Sequence, residues 1–488
     1  MNQEYELAKR KNKISPLGHQ APTDPWANLG AQSVRYQLPA ARWFIAPSLV
    51  LGVGICLAVY QNQFPWSLSA STLQLEEDAE LFREISKSIP DYDKCIRIPV
   101  RKPAGMSIGY LHCSQKAQAA DLASFQITPQ FHVPTEFPQK FNFWRKIYTN
   151  WDSSQFVVHS SAYPEMIFEI FELDQPKKVH SNDQWKKIKP IFEQNQRQYR
   201  ALLMKMHAMK GNIDPQNLTP AMQRIYAGMA HIQDEDKYQR AALTIRAQRG
   251  QKDYIKQGYA DAARYLPHIK QIFRSEGIPE ELAYIAFVES SFNLQAKSKV
   301  GASGVFQIMP KTGKQYLTIN EIIDERNDPI KAAKAAAKVF KLNYKLTSSW
   351  PLSVIAYNHG VGSVQRAIRT VGTTDITTII KNYEHKTFGF ASKNFYFEYI
   401  AMLYAVLNID QVFDDIKPAE LMSFEEIRLK SPETISSILK RHKMDQATLR
   451  FYNPDINRQA LRSDAALPRK YVLKIPAKKE RIVAASHH

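Results

Sequence analysis

The chain has 488 residues, 44% of them hydrophobic, and a formal net charge of +18. That length exceeds what one core organises, so more than one domain is expected. The charge implies an anionic partner, whether nucleic acid, an anionic glycan polymer or a membrane surface. The sequence carries no zinc-finger spacing, phosphate loop, His-Glu-x-x-His zinc site or Gly-x-Ser-x-Gly nucleophile elbow. Neither a metal nor a cofactor is therefore expected.

Residues 1–42 form a polar, basic tail containing Lys9, Arg10, Lys11, Lys13, Arg35 and Arg42. Trp43 to Tyr60 is an uncharged apolar run; as a helix it would span ~27 Å, about one bilayer core. The first charges after it are Glu76, Glu77 and Asp78. This asymmetry predicts a single-pass anchor, with the N-terminus in the cytoplasm and the rest exported. Cleavage near Ser67-Leu68-Ser69 is the alternative. In an oxidising compartment Cys95 and Cys113 could pair as a disulfide, with two free buried thiols equally compatible with the sequence.

Residues 61–215 read as a linker followed by a mixed α/β region without assignable chemistry. Gln155 to His159 and Met166 to Phe171 suggest short strands, and Asp183 to Met209 a helix. Thr219-Pro220 reads as a helix cap with a first-turn proline. From there the pattern is almost entirely helical to about Leu407, which sets a domain at 216–410. Within it, Lys331 to Leu346 reads as an amphipathic scaffold helix with a solvated basic face.

The chemistry concentrates near the middle of this domain. Pro279-Glu280-Glu281 reads as a helix start. Leu282, Ile285, Ala286 and then Glu289 continue one stripe, which places Glu289 on the buried face near a helix C-terminus. Burial and the helix dipole both disfavour its charge, so the pKa should rise. A carboxyl protonated near neutral pH can give a proton to a glycosidic oxygen.

Glu289-Ser290-Ser291-Phe292-Asn293 is followed by Ala296 to Gly304 and by Gln307-Ile308-Met309-Pro310-Lys311-Thr312. Ala356-Tyr357-Asn358-His359-Gly360-Val361-Gly362 forms a second block. The stretches Asp324 to Pro329 and Phe388 to Tyr396 accompany them. Together, over roughly 245–410, they resemble the soluble-type lytic transglycosylases, in particular the membrane-bound lytic murein transglycosylase D subgroup. The resemblance implies a lysozyme-like fold and cleavage of peptidoglycan between N-acetylmuramic acid and N-acetylglucosamine, leaving 1,6-anhydro ends. It implies that Glu289 is the acid/base. Ser298, Gln307, Met309, Tyr357 and Asn358 are then substrate-binding residues, and Gly301 and Gly304 are turn glycines. Phe395 and Tyr396 are cleft candidates, although core packing is the favoured role for both. A tyrosine expected at position 395 is replaced by Phe395.

Residues 424–477 form a separate unit with a strand, helices and the closing run Tyr471 to Pro476. It resembles a LysM module, a βααβ fold that binds glycan, although Pro432-Glu433 stands where that family has Gly-Asp. The expected architecture is thus α+β and multidomain. It comprises a mainly α-helical lysozyme-like domain, a small LysM-like module and an N-terminal transmembrane anchor. Peptidoglycan strands and the membrane are the expected partners, and nucleic acid is not. A catalytically silent peptidoglycan-binding scaffold and a lysozyme-type hydrolase are the alternatives.

Overall fold

The computed structural model describes residues 96–100, 106–112, 126–173, 181–413 and 415–477. The basic tail, the anchor candidate 43–60 and the cysteines Cys95 and Cys113 lie outside the described residues. Among the described residues no helix is long and apolar enough to cross a membrane. The chain divides into two compact units, one holding 133–253 with the strands that precede it, the other holding 126–132 and the chain from Tyr254.

The first unit is built on a five-stranded antiparallel sheet. Its strands, in spatial order, are Ile96–Val100, Met106–His112, Ile167–Leu173, Gln155–Ser160 and Ile245–Arg249. Phe156 faces Phe171 on one neighbour and Arg249 on the other. The long helix Ser181–Ala208 packs with Pro220–Gly228 and Lys237–Leu243 around Phe156, Phe171, Leu203, Met206, Met222 and Ile225. Thr219 caps Pro220–Gly228, accepting from Met222 N at 3.4 Å. The expected strands and the helix near 183–209 are present.

One boundary is corrected. Residues 216–253 belong with the sheet, so the helical unit starts at Tyr254 and not at 216. The strand Ile245–Arg249 interrupts the run read as helical, because its backbone pairs with Gln155–Ser160. Apolar and polar residues alternate from Leu243 to Gln248, a strand signal too short to prevail over the helical pattern around it until the partner edge is known.

The second unit is helical. Its spine is Phe390–Leu407, buried on nearly every face. Its own Tyr399 and, around it, Phe273, Phe287, Phe292, Phe306 and Phe340 are fully buried, each such side chain stabilising by roughly 2–3 kcal/mol. The hairpin Gln126–Thr128 and Phe131–His132 docks on the spine, with Phe131 edge-on to Tyr399 at 5.1 Å.

The helix Pro329–Thr347 is capped by Asp328, whose carboxylate accepts from Ile330 N at 3.0 Å and Lys331 N at 3.2 Å. Its Ala332, Ala333, Ala335, Ala336 and Ala337 are buried, the small side chains allowing close approach of neighbours. The solvated basic face expected here holds only in part. Lys334, Lys338, Lys341 and Lys345 are exposed, whereas Lys331 is buried against Asp455, 2.7 Å away.

In residues 424–477, Phe424–Arg428 pairs antiparallel with Val472–Pro476. Helices Ile435–His442 and Gln446–Tyr452 lie between them, followed by a third, Arg458–Arg462, and a short ladder between Glu433-Thr434 and Ala466-Leu467. Leu429, Ile438, Leu449, Leu467 and Leu473 form the core, and Ile323 of the helical domain enters it. The backbone is continuous across that junction: Asp324 N donates to Asp455 O at 2.8 Å and Asn457 N to Ile322 O at 2.9 Å.

Candidate active site

Local structure delivers Glu289 in two steps. Glu280–Tyr284 is a 3-10 turn and Ile285–Ser290 a short α-helix, not the single helix that the sequence predicts. The helix stops because Ser291 and Phe292 adopt left-handed backbone with φ of 51° and 58°. Ser290 Oγ ties this end to the next segment, donating to Val305 O at 2.9 Å. Leu282 through Phe287 are buried, so Glu289 leaves the core with its side chain half-buried.

Burial pushes the Glu289 carboxyl up to about 8. The helix dipole expected from sequence is not needed for the shift, which burial alone produces, and no neighbouring cation among the described residues offsets it. Tyr357 stands close enough that charge on Glu289 adds to burial in raising its phenol well above 10, so the phenol stays neutral. Its hydroxyl donates to Phe306 O at 2.9 Å and its ring stacks on Phe340 at 4.6 Å.

The loop after Glu289 is held by its own polar groups. Ser298 N donates to Ala302 O, and Ala302 N donates back to Ser298 Oγ, both at 2.9 Å. Gln307 has a φ of 46° and uses its amide NH₂ on Ala296 O at 3.2 Å and Gly304 O at 2.9 Å. Both donors of Gln307 are thereby committed to the loop. Met309 is half-buried at the start of the short helix Pro310–Gly313.

Arg326 is the residue whose role sequence reasoning missed. Its Nη1 donates to Gly301 O at 2.7 Å and Ile308 O at 3.1 Å, while Nε and Nη2 hold Asp324 at 2.9 and 2.8 Å. It pins both ends of the loop from one buried guanidinium. The stretch Asp324 to Pro329 was the available signal, but nothing in it shows which carbonyls an arginine would reach.

Gly304 has a φ of +76°, and a Cβ there would lie 1.8 Å from Arg326 O. Gly304→Ala is expected to cost more than about 2 kcal/mol, since both conformation and space forbid it; chemical denaturation measures this. Gly301, with a φ of +91°, has room for a Cβ and is constrained by conformation alone.

Asn358 is buried with Oδ1 lacking a hydrogen-bond partner. His359 beside it pairs Nδ1 with Ser392 Oγ at 2.8 Å, and burial lowers its pKa. Phe395 and Tyr396 lie in the core, 4% and 0% exposed, the favoured of their two roles, and not in a cleft. Tyr396 donates to His132 O at 3.0 Å and accepts from His132 N at 3.2 Å, so its hydroxyl holds the docked hairpin.

Residues 268–380 match the family model described as Transglycosylase SLT domain. The chain is 35% identical over 121 residues to membrane-bound lytic murein transglycosylase D of Escherichia coli strain K12, covering 24% of this chain and 27% of that protein. It is 33% identical over 114 residues to a putative tributyltin chloride resistance protein of Alteromonas sp. strain M-1, covering 23% and 55%. The chain therefore spans about a quarter of the length of the first of these relatives. Among solved structures, the 70 kDa soluble lytic transglycosylase of Escherichia coli aligns with a TM-score of 0.26 at 17% identity, covering 50% of this chain and 40% of that one. A likeness that low does not bear on the assignment. The match over 268–380 gives the helical unit a lysozyme-like fold, mostly helical with some sheet elsewhere in the chain.

Proposed function

We propose that the chain is a peptidoglycan lytic transglycosylase that cleaves the β-1,4 bond between N-acetylmuramic acid and N-acetylglucosamine with Glu289 as its one acid/base. The observation that carries this reading is a carboxyl held protonated to about pH 8, in a segment that matches the transglycosylase domain. Glu289 gives its proton to the bridging oxygen as the bond to C1 breaks. The carboxylate left behind takes the proton of the muramic C6 hydroxyl as that oxygen bonds to C1. The product is a 1,6-anhydro ring, and Glu289 is protonated again. Attack from within the same sugar has a high effective molarity, so a second carboxylate is not required, unlike the usual glycosidase pair.

The remaining site residues take supporting roles. Ser298 keeps its hydroxyl proton available, since its oxygen only accepts within the loop. Gln307 keeps Oε1 available, and Asn358, with its Oδ1 enclosed, packs beside Tyr357. Met309 and Tyr357 supply apolar surface beside them. Gly301 and Gly304 shape the loop. The segment 43–60 anchors the chain in the inner membrane, and residues 424–477 form a LysM-like glycan-binding module. Within that module Asn453 is structural: its side chain donates to Lys474 O at 2.7 Å and accepts from Lys474 N at 2.8 Å.

The test is digestion of purified peptidoglycan by the full chain, with fragment ends read by mass spectrometry. Anhydro-muramic ends are expected. Reducing ends would mean that water attacks, as in a lysozyme. Binding without release would leave a scaffold.

A further inference from the structure

A groove of about 580 Å³ opens on the helical unit, and its lining includes neither Glu289 nor any other residue of the site above. Tyr316, Lys338, Lys341, Tyr344, Lys345 and Trp350 supply its chemistry. Tyr344 and Trp350 stack face to face at 4.0 Å with their planes 16° apart, each ring covering one face of the other. Tyr344 is nevertheless 40% exposed and neighbouring Leu342 42% exposed. Lys338 and Lys345 are exposed, and Lys338 lies 5.9 Å from the centre of the Tyr316 ring. Lys341 pairs with Glu276 at 3.3 Å, whereas Lys338 and Lys345 form no ion pair among the described residues.

Concave surface, large apolar rings and a few charged groups of one sign are the ingredients of a ligand site. The outer face of such a stack, on the exposed Tyr344, is left to meet the C–H bonds of a pyranose. Ammonium groups on one helix face pair with carboxylates set along a strand. An anionic glycan that bears carboxylates on side arms meets both requirements, whereas a smooth anionic lipid surface has no need of a groove.

We propose that this groove is a second glycan site that holds a peptide-bearing peptidoglycan strand by stacking on Tyr344 and Trp350 and by pairing stem carboxylates with Lys338 and Lys345. The proposal rests on the substrate class assigned above. Held at two places, a polymer gains affinity through effective concentration, while a fragment too short to span both sites does not.

The experiment compares the full chain, carrying Glu289→Gln so that the polymer stays intact, with versions also carrying Lys338→Glu and Lys345→Glu, or Tyr344→Ala. Sedimentation with insoluble peptidoglycan is the readout, and melting confirms that each variant folds. The charge-reversed pair is expected to bind about three- to tenfold more weakly, as two exposed ion pairs allow, and added salt should erase the difference. Peptidoglycan stripped of its peptide stems should bind the unaltered groove as weakly as intact peptidoglycan binds the charge-reversed one. With Glu289 restored, turnover of short soluble muropeptide oligomers should be unchanged by the groove substitutions. Equal sedimentation of all versions, or equal binding to stripped and intact material, would overturn the proposal. So would groove-dependent binding to anionic phospholipid vesicles with groove-independent binding to peptidoglycan, which would make this a lipid site. If no version releases fragments but groove-dependent binding persists, the second site stands and the catalytic assignment fails.

Discussion

Glu289→Gln is expected to lower turnover of peptidoglycan by about 10²–10⁴-fold, the usual worth of a positioned general acid, while making the protein more stable at neutral pH. The two effects share one cause. The carboxyl has an ordinary value of 4.5 and burial raises it to about 8 in the folded chain. The sign follows from which state holds the proton. Between those values the unfolded chain ionises Glu289 and the folded chain keeps it protonated, so stability falls as pH rises through that window. At pH 7 the half-buried carboxyl costs about 1–3 kcal/mol, allowing for residual contact with water. Glutamine matches the protonated form in shape and removes that cost. Melting should place the variant above the unaltered chain at pH 7 and level with it near pH 4. In the unaltered chain kcat/KM should decline as pH passes about 8, because the acid is then lost. A variant that keeps its activity, or an equal stability gain at pH 4 and pH 7, would contradict this account.

The second large effect lies at the junction of residues 424–477 with the helical domain. Asp328→Ala is expected to destabilise the chain by about 3–5 kcal/mol, the scale for breaking a buried ion pair. Asp328 and Asp455 are 0% exposed, Lys474 1% and Lys331 7%. Lys474 pairs with Asp328. Lys331 pairs with Asp455 at 2.7 Å and lies over the Tyr471 ring at 3.9 Å. Tyr471 donates its hydroxyl to Asp455 at 3.0 Å. Burial acts to raise the Asp328 pKa, but Lys474 and Lys331 outweigh it and hold the carboxyl below its ordinary value. Its contribution is therefore present above about pH 4 and lost on acidification. At Asp455 burial prevails and the pKa is raised.

Removing Asp328 leaves Lys474 without its carboxylate, while Lys331 keeps Asp455 and, at 3.3 Å, Glu325; it also uncaps Pro329–Thr347, which adds about 1 kcal/mol. Asp328→Asn with Lys474→Met retains the cap and removes both charges. It should recover most of the loss, because a buried pair replaced as a whole costs far less than a pair broken. Denaturant unfolding of the three proteins measures both claims. A loss below 1 kcal/mol for Asp328→Ala would mean that water reaches the cluster.

Much of the chain's organisation is written locally. The ordered blocks from Glu289 to Thr312 and from Ala356 to Gly362 mark the proposed site, because a reaction demands side chains at set positions on a short stretch. The Thr219 cap, the strands near 155 and 167 and the helix near 183 were legible for a related reason: capping, alternation and helical period act over a few residues. Even the direction of the Glu289 shift follows from its place in the apolar stripe.

Other features depend on residues distant in sequence, and only the tertiary structure decided them. Ile245–Arg249 is a strand because Gln155–Ser160 offers it an unpaired edge. Tyr396 is a core residue because His132, 264 positions earlier, takes its hydroxyl. Arg326 organises the loop because Gly301 and Ile308 bring two carbonyls to it. Lys331 belongs to a basic stripe by its period, yet Asp455 draws it inward. The physical reason is common to all four. Periodicity tells which face of an element is apolar, whereas a buried polar group is satisfied by whichever partner the fold brings to it.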